Sequence, residues 1–536
     1  MNQAMSKTQP GPGVAEMERL QAGLRGGASR RELMGWLMAA GFGATTASGV
    51  LLRAESALAQ TPRRGGSLKV ASQSASTADT LDPARGALTT DYARAFMFYN
   101  GVTWLDGSLT PQLELAEALD TEDALNWTLK LRKGIHFHNG AELVADDVAY
   151  TILRQKDPAT GSKARALAMQ VEEATVVGPH ELKIRLTAPN ADLPVILGTP
   201  HFLVIRNGTT DFSTANGTGP FLCKEFSPGV RSIAARNPNY WKEGKPYLDQ
   251  IEYFSIQDET ARINALLAGD IDVASQISHR LKRRIMATRG FTVMETKSGN
   301  YDSYILRLDA EPTKNPDLVL AIKNLFNRKQ MQAALDGTIG NDQPIDPTNR
   351  FFFAGLPQRE IDLDKAKHHF QRSGLGSTPL PAYAMNGSGG ADGLVLLQQD
   401  ARKIGLNLDI QRMPGDGYWS NVWMKHPFTV GNINPRPSAD ILLTLFYKSD
   451  SPWNESAWKN EKFDQLLIAA RGQTDEAKRR QMYADMQVMI HESNGVGIPL
   501  FRSFYDAHTT KLKGLKPIPT GGMMGFGFGE HVWLEA

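Results

Sequence analysis

Cysteine is almost missing: the 536-residue chain holds one, Cys223. One thiol can form neither an internal disulfide nor a cysteine-based metal cluster, so disulfides say nothing about compartment. Cys223 sits in GPFLCKEF, which alternates like a strand. A small buried hydrophobe is the expected role there, not a nucleophile. Long apolar runs are scarce as well. One uncharged stretch, 35–52, lies near the start, and no later segment is apolar enough to span a bilayer. A surplus of one charge sign is also lacking. Six of the 59 Lys/Arg and four of the 57 Asp/Glu fall within residues 1–59, leaving 53 of each in the remainder. Without a basic excess, nucleic acid is not an expected partner. Finally, the GxSxG and HExxH signatures and a Cys/His nucleophile arrangement are absent, which weakens the alternative of an exported hydrolase such as a peptidase.

What is present is ordinary for a globular protein: 41% hydrophobic and 22% charged residues, in a chain long enough for about three domains. The first sixty residues bear on location. Arg30 and Arg31 precede the uncharged stretch, which is rich in Gly, Ala and Thr, and Ala57-Leu58-Ala59 follows it. A positive end, an apolar stretch and a small-residue cut site are the order of a cleavable export signal. The paired arginines after Ser29 resemble a twin-arginine signal. Cleavage near Ala59 is expected, with a soluble periplasmic mature chain. A retained membrane anchor is the alternative.

Helical and strand periodicities then interleave. SLKVAS reads as a strand and DYARAFMFYNGV as a helix leading into a turn. In NWTLKLRKGIHF, Trp127, Leu129 and Leu131 share one face, the pattern of a half-buried strand. ATVVGPHELKIRL is two short strands joined at Gly178-Pro179. DETARINALLAGD is a helix closed by Gly269. The stretch 317–335 reads as a single helix. Met482, Met486, Met489 and Ile490 recur at helical spacing, as core residues do. The class is α/β or mixed.

His136 and His138 in KGIHFHNG share a strand face, so joint metal binding is geometrically possible, but no Cys, third His or HExxH helix accompanies them. Structural roles are expected: Asn139-Gly140 makes a turn beside His138. Asp146 and Asp147 fall in the first turn of the next helix, where carboxylates meet the positive end of the helix dipole.

The segment PQLELAEALDTEDALNWTLKLRKGIHFHNGAELVADDVAYTILR, with GTGPFLCKEFSPGVRSIAARNPNYWKEGKPYLDQIEY, AIKNLFNRKQMQAALDGTIG and the helices of DLDKAKHHFQRSGLG and NEKFDQLLIAARGQTDEAKRRQMYADMQVMI, resembles the family 5 extracellular solute-binding proteins. These are the peptide-, nickel- and opine-type receptors of ABC importers. The resemblance runs from about Gly66 to the end. It implies a two-lobed, periplasmic-binding-protein-like α/β fold of class II type with an extra inserted domain and a ligand cleft between the lobes. It divides the chain into an export signal (1–59), a first lobe (60–98, 217–297 and 504–536), a smaller domain inserted in that lobe (99–216) and a second lobe (298–503). It implies a binding protein and not an enzyme, no cofactor or metal, a small-molecule or peptide ligand, ABC permease subunits as partners, and a monomer. A periplasmic chaperone or ligand sensor is an alternative within the family.

For the ligand site the resemblance points to FTVGNINPRPSADILLTLFYKSDSPWNES, the counterpart of a region where peptide receptors of the family hold the ligand's amine on an acid. This chain departs from their pattern. Arg436 lies near the expected acid and Asp440 follows four residues later. Arg436 can meet a carboxylate or phosphate bidentately and Asp440 can meet an amine, which suits a zwitterionic, amino-acid-derived solute such as a short peptide or opine. Tyr418, Trp419, Trp423 and Trp453 are expected to cover apolar parts of the ligand, with Trp458 nearby, and Tyr301 and Tyr304 are further candidates.

Overall fold

A computed structural model describes residues 30–39, 61–74 and 76–535. Arg30 and Arg31 open the helix Arg30–Ala39. The Ala57-Leu58-Ala59 stretch and most of the uncharged run lie outside the described residues. Among the described residues, no helix is long and apolar enough to cross a membrane.

The main sheet has twelve strands. Ten of them run in the order Leu408–Met413, Leu380–Met385, Phe428–Ile433, Phe291–Leu306, Leu500–Thr509, Val273–Ala274, Ser67–Ser72, Gln250–Ser255, Arg231–Arg236 and Phe221–Ser227. It is mixed. Ser67–Ser72 is parallel to both neighbours, as is Leu380–Met385, while the central pair Phe291–Leu306 and Leu500–Thr509 is antiparallel. On one side of that pair the buried apolar clusters draw on residues 68–293 and 505–532; on the other they draw on residues 301–501. The two long strands therefore belong to both lobes.

Their ladder shifts register between Lys297 and Asn300, where the chain passes from one core to the other. Gly299 sits at this bulge, where a Cβ would stand 2.7 Å from an Asp346 carboxylate oxygen, so a larger residue would have to push that side chain aside.

A second sheet of four antiparallel strands, Ala116–Thr121, Asn126–Leu131, Glu181–Leu186 and Val171–Gly178, encloses its own core with the helix Ala145–Leu153. Trp127, Leu129 and Leu131 are buried in it on one face, as their alternation requires. Asp147 accepts hydrogen bonds from the Val144 N–H (2.9 Å) and the Asn207 N–H (2.8 Å), the return half of a capping box, while the Val144 side chain makes no cap bond. His138 Nε2 meets the Gly219 carbonyl at 3.0 Å and His136 Nδ1 the Gly134 carbonyl at 3.0 Å. Both imidazoles are tied to backbone carbonyls, His136 locally and His138 to a segment 81 residues on.

Other local readings meet the structure closely. Gly269 and Gly374 end their helices in the left-handed region, and Met486 and Ile490 are fully buried with Met482 and Met489 packed beside them. Cys223 is half-buried on Phe221–Ser227, and burial raises its thiol pKa. The stretch 317–335 differs. It forms two helices, Pro316–Leu325 and Arg328–Leu335, because the Asn327 side chain caps the second by accepting the Gln330 N–H at 3.2 Å. The fully buried Phe326 takes extended backbone there and sets its ring 5.1 Å from that of Tyr304.

The second lobe contains a buried charge cluster close to the central strands. Asp342 accepts from Arg328 (2.8 Å), from Arg359 and from the Ile498 N–H (2.9 Å). Burial alone would raise its pKa; Arg328 and Arg359 outweigh that and hold the carboxyl well below the usual range. The stabilisation is thus fully present above the unfolded carboxyl's pKa of about 4 and fades as pH falls towards the folded value. Asp342→Ala leaves buried cations unpaired. Urea denaturation at pH 7 should show a loss of about 3–5 kcal/mol, narrowing in strong acid.

Candidate functional site

A cavity of about 1110 Å³ opens between residues 87–201, 242–276 and 504–531 on one side and 434–471 on the other. Helix Thr89–Phe98 carries Tyr92 and Phe96 into it, four residues apart and so on one helical face. Trp104, from the short strand Thr103–Leu105, adds a third ring. From the second lobe come the loop 434–437 and the first turns of helix Ala439–Phe446.

Prolines 435 and 437 bracket Arg436 and restrict the loop's backbone. The half-buried guanidinium lies 5.4 Å from the Phe446 ring centre and makes only long contacts, 3.4 Å, to the carbonyls of Asn434 and Pro435. Among the described residues it has no carboxylate in ion-pair contact. Burial lowers its pKa, and its charge acts on the Tyr92 phenol across the cavity.

Asp440 also faces the cavity but is already engaged. Arg471 Nε donates to both of its oxygens, at 3.0 and 3.1 Å, and Arg471 Nη2 donates to Thr444 Oγ1 at 2.7 Å. Burial pushes the Asp440 carboxyl up to about 6 against this pairing. Trp453 lines the cavity and stacks on Phe446 with centroids 5.7 Å apart.

The other expected side chains do not line this cavity. Tyr301 and Tyr304 lie on a central strand whose faces are both covered by core, so each ring is buried. The Tyr301 hydroxyl meets that of Tyr447 at 3.1 Å, and that of Tyr304 donates to the Gly390 carbonyl at 3.4 Å. Tyr418 is buried and donates to the Val430 carbonyl at 2.7 Å. Trp423 Nε1 donates to Glu455 at 2.9 Å, and the half-exposed Trp419 stands edge-on to Trp423, outside the cavity lining. Trp458 is core.

Two parts of the wall carried no expectation from sequence. At one end Lys242 Nζ donates to Glu114 (2.6 Å) and Glu530 (2.8 Å), and Lys245 Nζ donates to Glu530 (2.8 Å). Burial opposes ionisation of Glu530, but Lys242 and the groups around it hold its carboxyl low. Beside it, burial pushes His531 down to about 4. The second part is the C-terminal loop TGGMMGFG, which contributes Thr520, Met524 and Phe526. Met523, Met524 and Phe526 all take left-handed φ, 49°, 58° and 78°, a strained conformation for residues with a Cβ. Asp506 anchors the loop by accepting the Met523 N–H at 2.6 Å while also accepting the Gln276 N–H at 3.0 Å. A Cβ at Gly522 would fall 2.9 Å from both Asp506 oxygens, so a side chain there would push against the anchoring carboxylate. The clustered Gly, Met and Phe of this loop were the available sequence signal.

The arrangement is a large cavity with aromatic and aliphatic walls and a few placed charges, which suits binding. No group of three or more His, Cys, Asp or Glu that could hold a metal ion occurs among the described residues.

Comparison with known proteins gives the same reading. The model of the bacterial extracellular solute-binding proteins, family 5, matches residues 110–454. Di/tripeptide-binding protein 2 of Pseudomonas aeruginosa is 26% identical over 485 residues, 82% of this chain and 90% of that protein. The glutathione-binding protein GsiB of Escherichia coli is 24% identical over 465 residues, 83% of this chain and 91% of that protein. Among solved structures, the ABC transporter substrate-binding protein CtaP of Listeria monocytogenes superposes with a TM-score of 0.77 at 20% identity, covering 88% of this chain and all of that one. Two lobes on shared strands, a cavity between them and a family match over most of the chain lead to one conclusion: the chain belongs to the family 5 bacterial extracellular solute-binding proteins, and it binds a solute rather than converting one.

Proposed function

We propose that the protein captures a small amino-acid-derived solute, such as a short peptide or an opine, in the cavity between its lobes and hands it unaltered to an ABC permease. Export by the twin-arginine-like segment and cleavage near Ala59 would put a monomeric mature chain in the periplasm. The observation that carries this reading is Arg436. It is a half-buried guanidinium with no carboxylate partner among the described residues, set in a cavity of about 1110 Å³ that also holds aromatic rings. A planar guanidinium in this setting is suited to bidentate capture of a carboxylate. Tyr92, Trp104 and Trp453 would cover the apolar parts of the solute. The names of two relatives, a di/tripeptide-binding and a glutathione-binding protein, support an amino-acid-derived solute. Asp440 is assigned to the cavity wall and not to the solute's amine, since Arg471 already takes both its oxygens.

Family receptors close by hinge motion, and the solute favours the closed state by its differential affinity for it. The test is to purify the protein from its native compartment, identify co-purifying small molecules by mass spectrometry and titrate each back. The solute at a hundred times its Kd should raise unfolding stability by about 2.7 kcal/mol. Arg436→Ala should weaken its binding roughly 10- to 100-fold in calorimetry. No co-purifying compound that shifts the melting temperature, or turnover of the one that binds, would count against the reading.

A further inference from the structure

We propose that the solute is recognised as an acid: it enters as a net anion, its carboxylate is received by Arg436, and no group of the cavity is reserved for an ammonium. This deepens the receptor reading and rests on it. The charge balance of the wall points this way. Three carboxylates face the cavity, Glu114, Asp440 and Glu530, and each is within 3.1 Å of a protein cation: Lys242, Arg471, and Lys242 with Lys245, respectively. Two cations face it without a carboxylate in ion-pair contact among the described residues, Arg436 and Lys163. The unfilled electrostatic capacity is therefore positive. An ammonium would have to displace Lys or Arg from a formed pair, whereas a carboxylate at Arg436 completes one and offsets its own desolvation. The two differ in setting: Lys163, from residues 87–201, is exposed to solvent, whereas Arg436, from the second lobe, is half-buried, so the positive capacity centres on Arg436.

Aromatic faces offer the one alternative route for an ammonium, and chemical blocking separates the two. A small-molecule extract of the cells that make the protein is divided in three: untreated, acetylated at amines, and methyl-esterified at carboxylates. Melting-temperature shifts of the mature chain are read with each, and captured compounds are weighed by mass spectrometry. The acetylated extract should retain the shift and the esterified extract should lose it. The converse, a shift that survives esterification and disappears on acetylation, overturns the acid assignment while leaving a receptor in place. No shift with the untreated extract refutes the receptor reading itself.

A separate observation assigns a closing latch. The segment 189–192 connects to the core of the four-stranded domain through Leu193 and Ile196. Its Asp192 is 1% exposed, with Oδ1 2.7 Å from Arg479 Nη1 and 3.9 Å from Arg350 Nη2. Both arginines belong to the second lobe, as does Arg471, whose carbonyl accepts the Ala191 N–H at 2.8 Å. Pro189 packs so closely on Gly472 that a Cβ there would stand 3.0 Å away. None of these four residues, 189–192, lines the cavity, so Asp192 acts on the lobes and not on the solute. The geometry points to Asp192–Arg479 as the contact that holds the lobes shut. Arg471, which joins this contact to Asp440, continues it into the cavity wall.

Fluorescent labels on the two lobes would read their separation in solute-free protein, and stopped flow would read solute release. Asp192→Asn should widen the solute-free distribution and speed release about tenfold. Arg479→Met, which keeps most of the bulk, should do the same, and the double variant should add little. Urea curves of each variant would establish that it is folded. An unchanged separation in both single variants overturns the latch whatever the solute is.

Discussion

Backbone hydrogen bonding between Phe291–Leu306 and Leu500–Thr509 carries this protein. The two strands pair from Phe291 with Thr509 to Tyr301 with Phe501, and their ends lie in different cores. A ladder of this length keeps the lobes in register, while the shift at 297–300 leaves one place where pairing is interrupted. The same pair divides the molecule front from back. Phe504 lines the cavity, while Arg502, Ser503 and Tyr505 line a smaller depression. Everything that the cavity does is referred to this pair, because its walls hang from opposite ends of it.

Electrostatics then divides the wall into spent and available charge. Glu114, Glu530 and Asp440 are all neutralised by protein cations, and each pairing fixes a piece of wall. Lys242 and Lys245 tie the segment around 240 to the C-terminal tail, and Arg471 ties helix Glu461–Gly472 to helix Ala439–Phe446. These ion pairs are structural. Arg436 is different in kind, because its loop gives it distant carbonyls in place of a carboxylate. Satisfied and unsatisfied charge thus stand side by side within a single cavity.

Strain enters at the C-terminal loop. Three non-glycine residues in the left-handed region would not persist unaided, and Asp506, buried and accepting two backbone N–H groups, holds them there. The loop delivers Met524 and Phe526 to the cavity from the far end of the sequence. Aromatic rings of the cavity wall thus come from near residue 92, residue 104, residue 453 and residue 526, with no local pattern linking them.

The sequence by itself determined the class of element at most positions, the order of motifs that resembles family 5, and the loop around Arg436, because periodicity, caps and a bracketed arginine are written in neighbouring residues. It could not tell a buried aromatic from a cleft aromatic. Tyr301, Tyr304, Tyr418 and Trp453 look alike in one dimension; only the covering of both faces of the central strand puts the first two in the core, and only the stacking of Trp453 on Phe446 brings it to the cavity. Nor could it tell a free carboxylate from a paired one. Asp440 is 31 residues from Arg471, Glu114 is 128 from Lys242, and Asp192 is far along the chain from Arg479. Which charge remains available is a property of pairs, and these pairs exist only after the chain has folded.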